Sequence, residues 1–168
     1  MMIRDATIGD LPAIFEIYNE QVLHGTATFD TVPKDPERDA RWLTGRNLAA
    51  HPVIVGVVGG NSGGEIVGWA SLSAWSDRCA YARAAEESVY IHKDHRGRGY
   101  GRTLLRAIIE RGRAAGLGVL LARIAGENPG SVRLHEELGF ARIGTMRRVG
   151  EKFGRILDVE MMDLHLDA

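Results

Sequence analysis
Several things are scarce in this chain of 168 residues. Cysteine occurs once, at Cys79, so no intrachain disulfide can form, and the lone thiol suits a reducing compartment. No apolar run is long enough to cross a bilayer; Leu117 to Ala122 is only strand-sized. Met1-Met2-Ile3-Arg4-Asp5 lacks the apolar core of a secretory leader, and the expected location is the cytoplasm, with no membrane partner. Charge of one sign is lacking as well. Lys and Arg total 21 against 22 Asp and Glu, a formal net charge of −1. Nucleic-acid binding usually needs a net basic face, so that role is not expected. Internal repeats and low-complexity tracts are absent, and no metal is expected.

What is present reads as one domain over residues 1–168, with apolar and charged fractions ordinary for a globular protein and room for a proper core. Met2 to Ala6 reads as a short strand. Leu11, Ile14, Phe15, Tyr18 and Val22 recur at helical spacing, with Pro12 in the first turn and His24-Gly25-Thr26 at the end. Thr26 to Val32 has no period and reads as a loop. Asp35-Pro36 opens a second helix expected to reach about Ala50, where His51-Pro52 breaks it. Val53 to Val58 and Glu65 to Trp75 read as strands joined by the turn Gly59 to Gly64. An irregular stretch from Trp75 to Arg83 leads into a central strand from about Ala84 to His92. The remaining order is helix (Arg102 to Ala115), strand (Val119 to Ile124), short helix (Asn128 to Leu138), and a closing pair of strands, Phe140 to Val149 and Arg155 to Leu166. The pattern β-α-α-β-β-β-α-β-α-β-β is a mixed α/β domain.

The densest chemical signal is Arg96-Gly97-Arg98-Gly99-Tyr100-Gly101, between the central strand and a helix with an apolar stripe of Leu104, Leu105, Ile108 and Ile109. Strand, glycine turn and helix together favour phosphate: first-turn N–H groups have no intrahelical partner, and glycine lets an anion approach the backbone. Arg96, Arg98 and Arg102 add charge. On glycines and arginines alone, a solvated basic loop closing the strand–helix connection is the better reading. The spacing is neither that of a P-loop nor that of the dinucleotide fingerprint.

Arg96-x-x-Gly99-x-Gly101 resembles the acetyl-CoA signature of the GNAT superfamily of N-acetyltransferases, and the element order resembles that family over essentially the whole chain. A second match is Asn128-x-x-Ser131-x-x-Leu134-His135-x-x-x-Gly139-Phe140, with His135 where the superfamily often has tyrosine. Gly25-Thr26-Ala27-Thr28-Phe29, Trp75 with Tyr81, Glu86-x-Ser88-Val89-Tyr90-Ile91 and Gly150-x-Lys152-Phe153-Gly154-Arg155-x-Leu157-Asp158 are similar to one subgroup, the phosphinothricin and methionine sulfone/sulfoximine N-acetyltransferases. The resemblance implies a mostly antiparallel mixed sheet flanked by helices and splayed at the acetyl-CoA site.

It also implies roles. Acetyl-CoA is the expected acetyl donor, held by Val89, Tyr90 and Ile91 on the central strand, by the turn Arg96 to Arg102 and by Asn128. Glu86 is the expected general base that frees the acceptor amine, and His135 the expected partner of the departing thiolate. Period-2 alternation puts Glu87 on the face opposite Glu86, although the family's bulge in this strand would spoil that parity. Phe29, Trp75, Arg78, Tyr81, Glu87 and Ser88 are the expected substrate contacts, with Arg78 as carboxylate anchor and Arg83 as the alternative. Close relatives differ here, some carrying a basic residue directly after the tryptophan, where this chain has Ser76 followed by Asp77. The expected assembly is a homodimer, with Lys152 and Phe153 reaching a neighbouring subunit's pocket. Other readings are acetyl transfer to a peptide N-terminus, a polyamine or an antibiotic amine, and a non-catalytic coenzyme A sensor.

Overall fold
Alternation of apolar residues builds one sheet, and its two faces are covered by different helices. The computed structural model describes residues 1–59 and 64–167, so the centre of the expected Gly59 to Gly64 turn lies outside the described residues. The strands are β1 (Met2–Asp5), β2 (Val53–Val58), β3 (Glu65–Ala74), β4 (Ala84–Ile91), β5 (Val119–Ala125), β6 (Ala141–Lys152) and β7 (Arg155–His165). They form a seven-stranded sheet in the order β1-β2-β3-β4-β5-β7-β6. Every neighbouring pair is antiparallel except β4 and β5.

Helix α1 (Leu11–His24) buries Leu11, Ile14, Phe15 and Ile17 on one face, against Val53, Val55, Val57 and Trp69. Helix α3 (Tyr100–Ala114) buries Leu104, Leu105, Ile108 and Ile109 on the other, against Ala70, Leu72, Ala85 and Leu120. Helix α4 (Pro129–Glu137) joins α3 through Val132 and Leu134. Burying side chains of this size stabilises by roughly 1.5–3 kcal/mol each, which makes the apolar stripes the main force holding helices to sheet.

The second helix is shorter than its signals predict. Only Arg41–Thr44 is helical (α2); Asp35 caps the Glu37 and Arg38 amides, but a chain of turns follows and precedes the helix. Leu43 is its one fully buried side chain. A longer helix there has no apolar stripe to hold it against the sheet.

The decisive feature lies between β4 and β5. They pair only over Ala84↔Val119, Ala85↔Leu120 and Glu86↔Leu121. Beyond that, β4 stays with β3 up to Gly68↔Ile91, while β5 follows β7 up to Ala125↔Val159. The two strands part and leave a gap in the sheet. The β3–β4 ladder is unbroken, so the expected bulge in β4 is not found and side-chain parity holds along it.

One capping contact ties β1 to α1. Arg4 makes two hydrogen bonds to Asp10, at 2.6 and 2.8 Å, and the Thr7 N–H donates to Asp10 at 2.7 Å. The Arg4 hydrogen bonds hold the Asp10 carboxyl down at about 2, against a smaller opposing effect of burial. A depressed carboxyl stabilises the fold above its unfolded value and loses that contribution as pH falls through the folded one. Asp10→Asn should therefore cost about 1 kcal/mol at neutral pH, with the partial exposure of Arg4 limiting the effect. In denaturant titrations the difference from wild type should shrink below about pH 4 and be lost only as pH falls below about 2. A difference that stays constant with pH would contradict this.

Candidate active site
The gap opens a cavity of about 600 Å³. Its location follows from backbone parity. Trp75 N–H donates to Ala84 O and His92 N–H donates to Val67 O, at the two ends of the β3–β4 ladder. Even-numbered residues of β4 thus turn their backbone groups toward β3, and odd-numbered ones turn theirs toward β5. Past Glu86 there is no β5 to meet them. Val89 and Ile91 aim their N–H groups into the gap, where a carbonyl oxygen or an amide chain can accept them. Tyr90, also expected to hold the cofactor, instead bonds β3 through its backbone. It contributes its ring, stacked on Trp69 at 4.8 Å with Tyr18 edge-on at 5.2 Å. Its hydroxyl donates to Ala27 O at 3.3 Å.

The glycine turn stands at the end of β4. Gly97 and Gly99 have φ of 75° and 79°, and Gly99 is the residue before α3. Nothing lies within 4 Å of a Cβ built at either position, so backbone conformation is what requires glycine there. Behind them, Tyr100, Gly101 and Arg102 form the first turn of α3, whose amides face out of the helix end. The arginines are not equivalent. Arg96 fixes the turn itself: its side chain donates to Ile91 O at 3.2 Å and pairs with Glu20 of α1 at 2.8 Å. Arg102 pairs with Glu137 of α4. Arg98 is exposed and has no ion pair among the described residues, which leaves its charge available to an anion.

The two carboxylates of β4 line the same cavity from opposite faces. Glu86 lies on the α1 face and makes paired hydrogen bonds with Arg123 of β5, one at 2.7 Å. Trp75 covers Arg123, with its ring centre 5.8 Å from the guanidinium carbon. Glu87 lies on the α3 face and is 6% exposed. One of its oxygens meets His135 Nε2 at 2.9 Å, and the other is buried without a partner. His135 is 1% exposed, and its Nδ1 lies 2.7 Å from Ser131 O. A carbonyl only accepts, so Nδ1 carries hydrogen, and one further proton is shared between Nε2 and Glu87. Burial pulls the imidazole down, but the hydrogen bond and charge of Glu87, with the Ser131 carbonyl, leave it raised overall. Asn128 caps α4 by accepting from the Ser131 N–H at 3.0 Å, which leaves its amide donors for the cavity.

Of the other expected contacts, Phe29 and Ser88 line the cavity, and Trp75 borders it through Arg123. Phe29 lies so close over Gly150 that a Cβ there would come 2.2 Å from its ring. Arg78 and Tyr81 are exposed in the loop before β4 and are not among the residues lining the cavity. Arg83 pairs with Asp167 at 2.8 Å. Lys152 does not reach outward: it is 4% exposed and donates to Gln21 O and Thr28 O, both at 2.8 Å. It pins the Thr28-Phe29 segment against the β6–β7 hairpin. Phe153, at the tip of that hairpin, is exposed. The sequence reading missed Tyr18, Asp30, Arg46 and Arg123, which line the cavity from elements distant in sequence.

The Glu87–His135 pair has a pH signature. A raised histidine adds stability that is full below the unfolded value of about 6.5 and fades as pH rises through the folded one. Thermal melts between about pH 6 and about pH 9 should fall more steeply for wild type than for Glu87→Gln. Parallel curves would contradict the pairing.

Similarity to known proteins agrees with this geometry. The chain matches the acetyltransferase (GNAT) family over residues 11–140. It is 42% identical over 165 residues to an L-methionine sulfoximine/L-methionine sulfone acetyltransferase of Pseudomonas aeruginosa, covering 98% of this chain and 94% of that one. A ribosomal-protein-alanine N-acetyltransferase structure from Brucella melitensis superposes with a TM-score of 0.93 at 38% identity, covering 99% of this chain and 100% of that one. A phosphinothricin acetyltransferase from Sinorhizobium meliloti, solved in complex with acetyl-CoA, superposes at 0.92 and 36% identity, covering 98% and 88%. With its sheet parted at the glycine turn and matches of this extent, the chain belongs to the GNAT family of acetyltransferases.

Proposed function
We propose that the chain transfers the acetyl group of acetyl-CoA to the α-amino group of a small amino-acid analogue such as methionine sulfone, methionine sulfoximine or phosphinothricin. Transfer is direct, within a ternary complex. The observation that carries this reading is the gap itself. Free backbone donors, two carboxylates and a histidine meet in one cavity that opens beside a phosphate-suited glycine turn.

In this scheme the pyrophosphate of acetyl-CoA lies against the Gly97 to Gly101 amides, with Arg98 as counter-charge. The pantetheine chain runs along the open edge of β4, past Asn128. The thioester oxygen accepts from the β4 amides, which stabilise the charge that develops there. The acceptor enters from the α1 side, between Phe29 and the aromatic group of Tyr18, Trp69 and Tyr90. Glu86 takes the proton from the amine as its nitrogen attacks the carbonyl carbon. The C–S bond breaks, and the proton held between Glu87 and His135 passes to the thiolate. Exchange with solvent restores both sites.

A second assignment of the base has its own support. The unpartnered, buried oxygen of Glu87 is the least satisfied acceptor in the site, and an incoming ammonium would be drawn to it. Under this reading Glu86 and Arg123 only shape the wall.

The exposed apolar residues Ile143, Met146, Val149, Phe153 and Ile156 lie along β6 and its hairpin with β7. β6 is a sheet edge, and Met146 and Val149 also border the cavity. An unpaired edge of this kind favours pairing with another chain. A second copy of the chain, covering this edge, is the proposed assembly, and the cytoplasm the proposed location.

Thiol release from acetyl-CoA tests the reading with L-methionine sulfone, L-methionine sulfoximine, phosphinothricin, a polyamine, an aminoglycoside and an alanine-starting peptide. Turnover confined to the first three supports it. Turnover on the peptide alone would move the acceptor to a protein N-terminus, and acetyl-CoA binding without turnover would favour a coenzyme A sensor. Glu86→Gln should lower kcat about 100-fold or more and leave acetyl-CoA affinity unchanged. If Glu87→Gln shows that loss and Glu86→Gln does not, the base is Glu87.

A further inference from the structure
The charges that line the cavity cancel in pairs, with one exception. Lys34 lies 3.5 Å from Asp30. Arg123 is paired with Glu86, and His135 with Glu87. Arg46 also lines the cavity, and among the described residues it has no carboxylate partner.

What holds Arg46 in place is neutral. Leu72 N–H donates to Pro52 O, but Pro52 has no N–H to return to Leu72 O. The Arg46 Nη1 group supplies that missing donor. Its Nε donates to Trp42 O at 2.8 Å, and the guanidinium carbon sits 4.7 Å from the centre of the Trp42 ring. Two of its five N–H donors are thereby used, and three remain. The backbone needs only a donor at this place and does not require a charge. A half-buried guanidinium, orientated by an aromatic ring and two carbonyls, is left with uncompensated charge at the cavity wall. Burial disfavours that charge and pulls its proton affinity down. An anion in the cavity would restore it.

We propose that Arg46 is the anchor for the carboxylate of the acceptor amino acid, a role the loop residue Arg78 does not fill in this arrangement. The inference rests on the proposed acceptor class. It explains why a cavity already supplied with carboxylates for proton transfer accepts an anionic substrate. The ion pairs keep those carboxylates balanced, and Arg46 supplies the one net positive charge. A polyamine would find no use for it.

The test is equilibrium binding in the presence of coenzyme A, by calorimetry, of L-methionine sulfone and its carboxamide. Both are measured on wild type, Arg46→Gln and Arg46→Lys, with thermal melts to establish that the variants fold. Wild type should bind the carboxylate form about 30-fold more tightly than the carboxamide. Arg46→Gln should lose that preference while binding the carboxamide as wild type does. Arg46→Lys should retain part of it. Equal weakening of both ligands in Arg46→Gln would show that Arg46 only supports the Leu72 carbonyl, and would overturn the proposal. Wild type that binds both forms equally, or binds neither, would overturn it too. Failure of the proposed reaction is read separately, as absence of thiol release despite binding.

Discussion
The parting of β4 from β5 after Glu86 and Leu121 is the constraint on which the rest depends. A strand inside a sheet has no backbone groups to spare. Here β4 keeps one neighbour and loses the other, so Val89 and Ile91 retain donors that no other strand uses. The same parting makes both sheet faces accessible from one cavity. Two adjacent carboxylates that would otherwise be isolated on opposite sides can then serve one reaction centre. Arg123 ties Glu86 across the gap on one face, and His135 ties Glu87 to α4 on the other.

Around that opening, rigid and adjustable parts are distinguishable. Arg96 links Ile91, the glycine turn and Glu20 of α1, so the turn is fixed before any ligand arrives. On the proposed acceptor side, Thr28 and Phe29 have no regular structure of their own. They are held by buried Lys152, by the Tyr18 hydroxyl against Thr28 at 2.7 Å, and by the fit of Phe29 over Gly150. Gly150 and Lys152 thus hold the Thr28-Phe29 segment of their own chain in place.

Much of the architecture was legible in local pattern. The apolar stripes of α1 and α3, the strand-sized runs and the glycine turn all have periods or punctuation that sequence displays directly. The second helix is shorter than its signals announce, because Asp35-Pro36 marks a start but only Leu43 is there to bury. The parity of Glu86 and Glu87 was readable from alternation. The bulge implied by resemblance was not borne out, since the β3–β4 register is continuous. What sequence could not show is pairing across distance. Arg46 and Arg123 look like ordinary surface charges until the fold brings one beside Leu72 and the other beside Glu86. The pairing of Arg96 with Glu20, 76 residues away, is equally invisible in the sequence.

On the proposed reading, acetyl-CoA lies in the β4–β5 gap with its phosphates at the glycine turn. Amide hydrogen exchange, resolved by residue and measured with and without acetyl-CoA, tests it most directly. Val89, Ile91 and Gly97 through Arg102 should become protected on binding, while the paired amides of β2 and β7 do not change. Protection elsewhere, with these amides exchanging as fast as before, would contradict it.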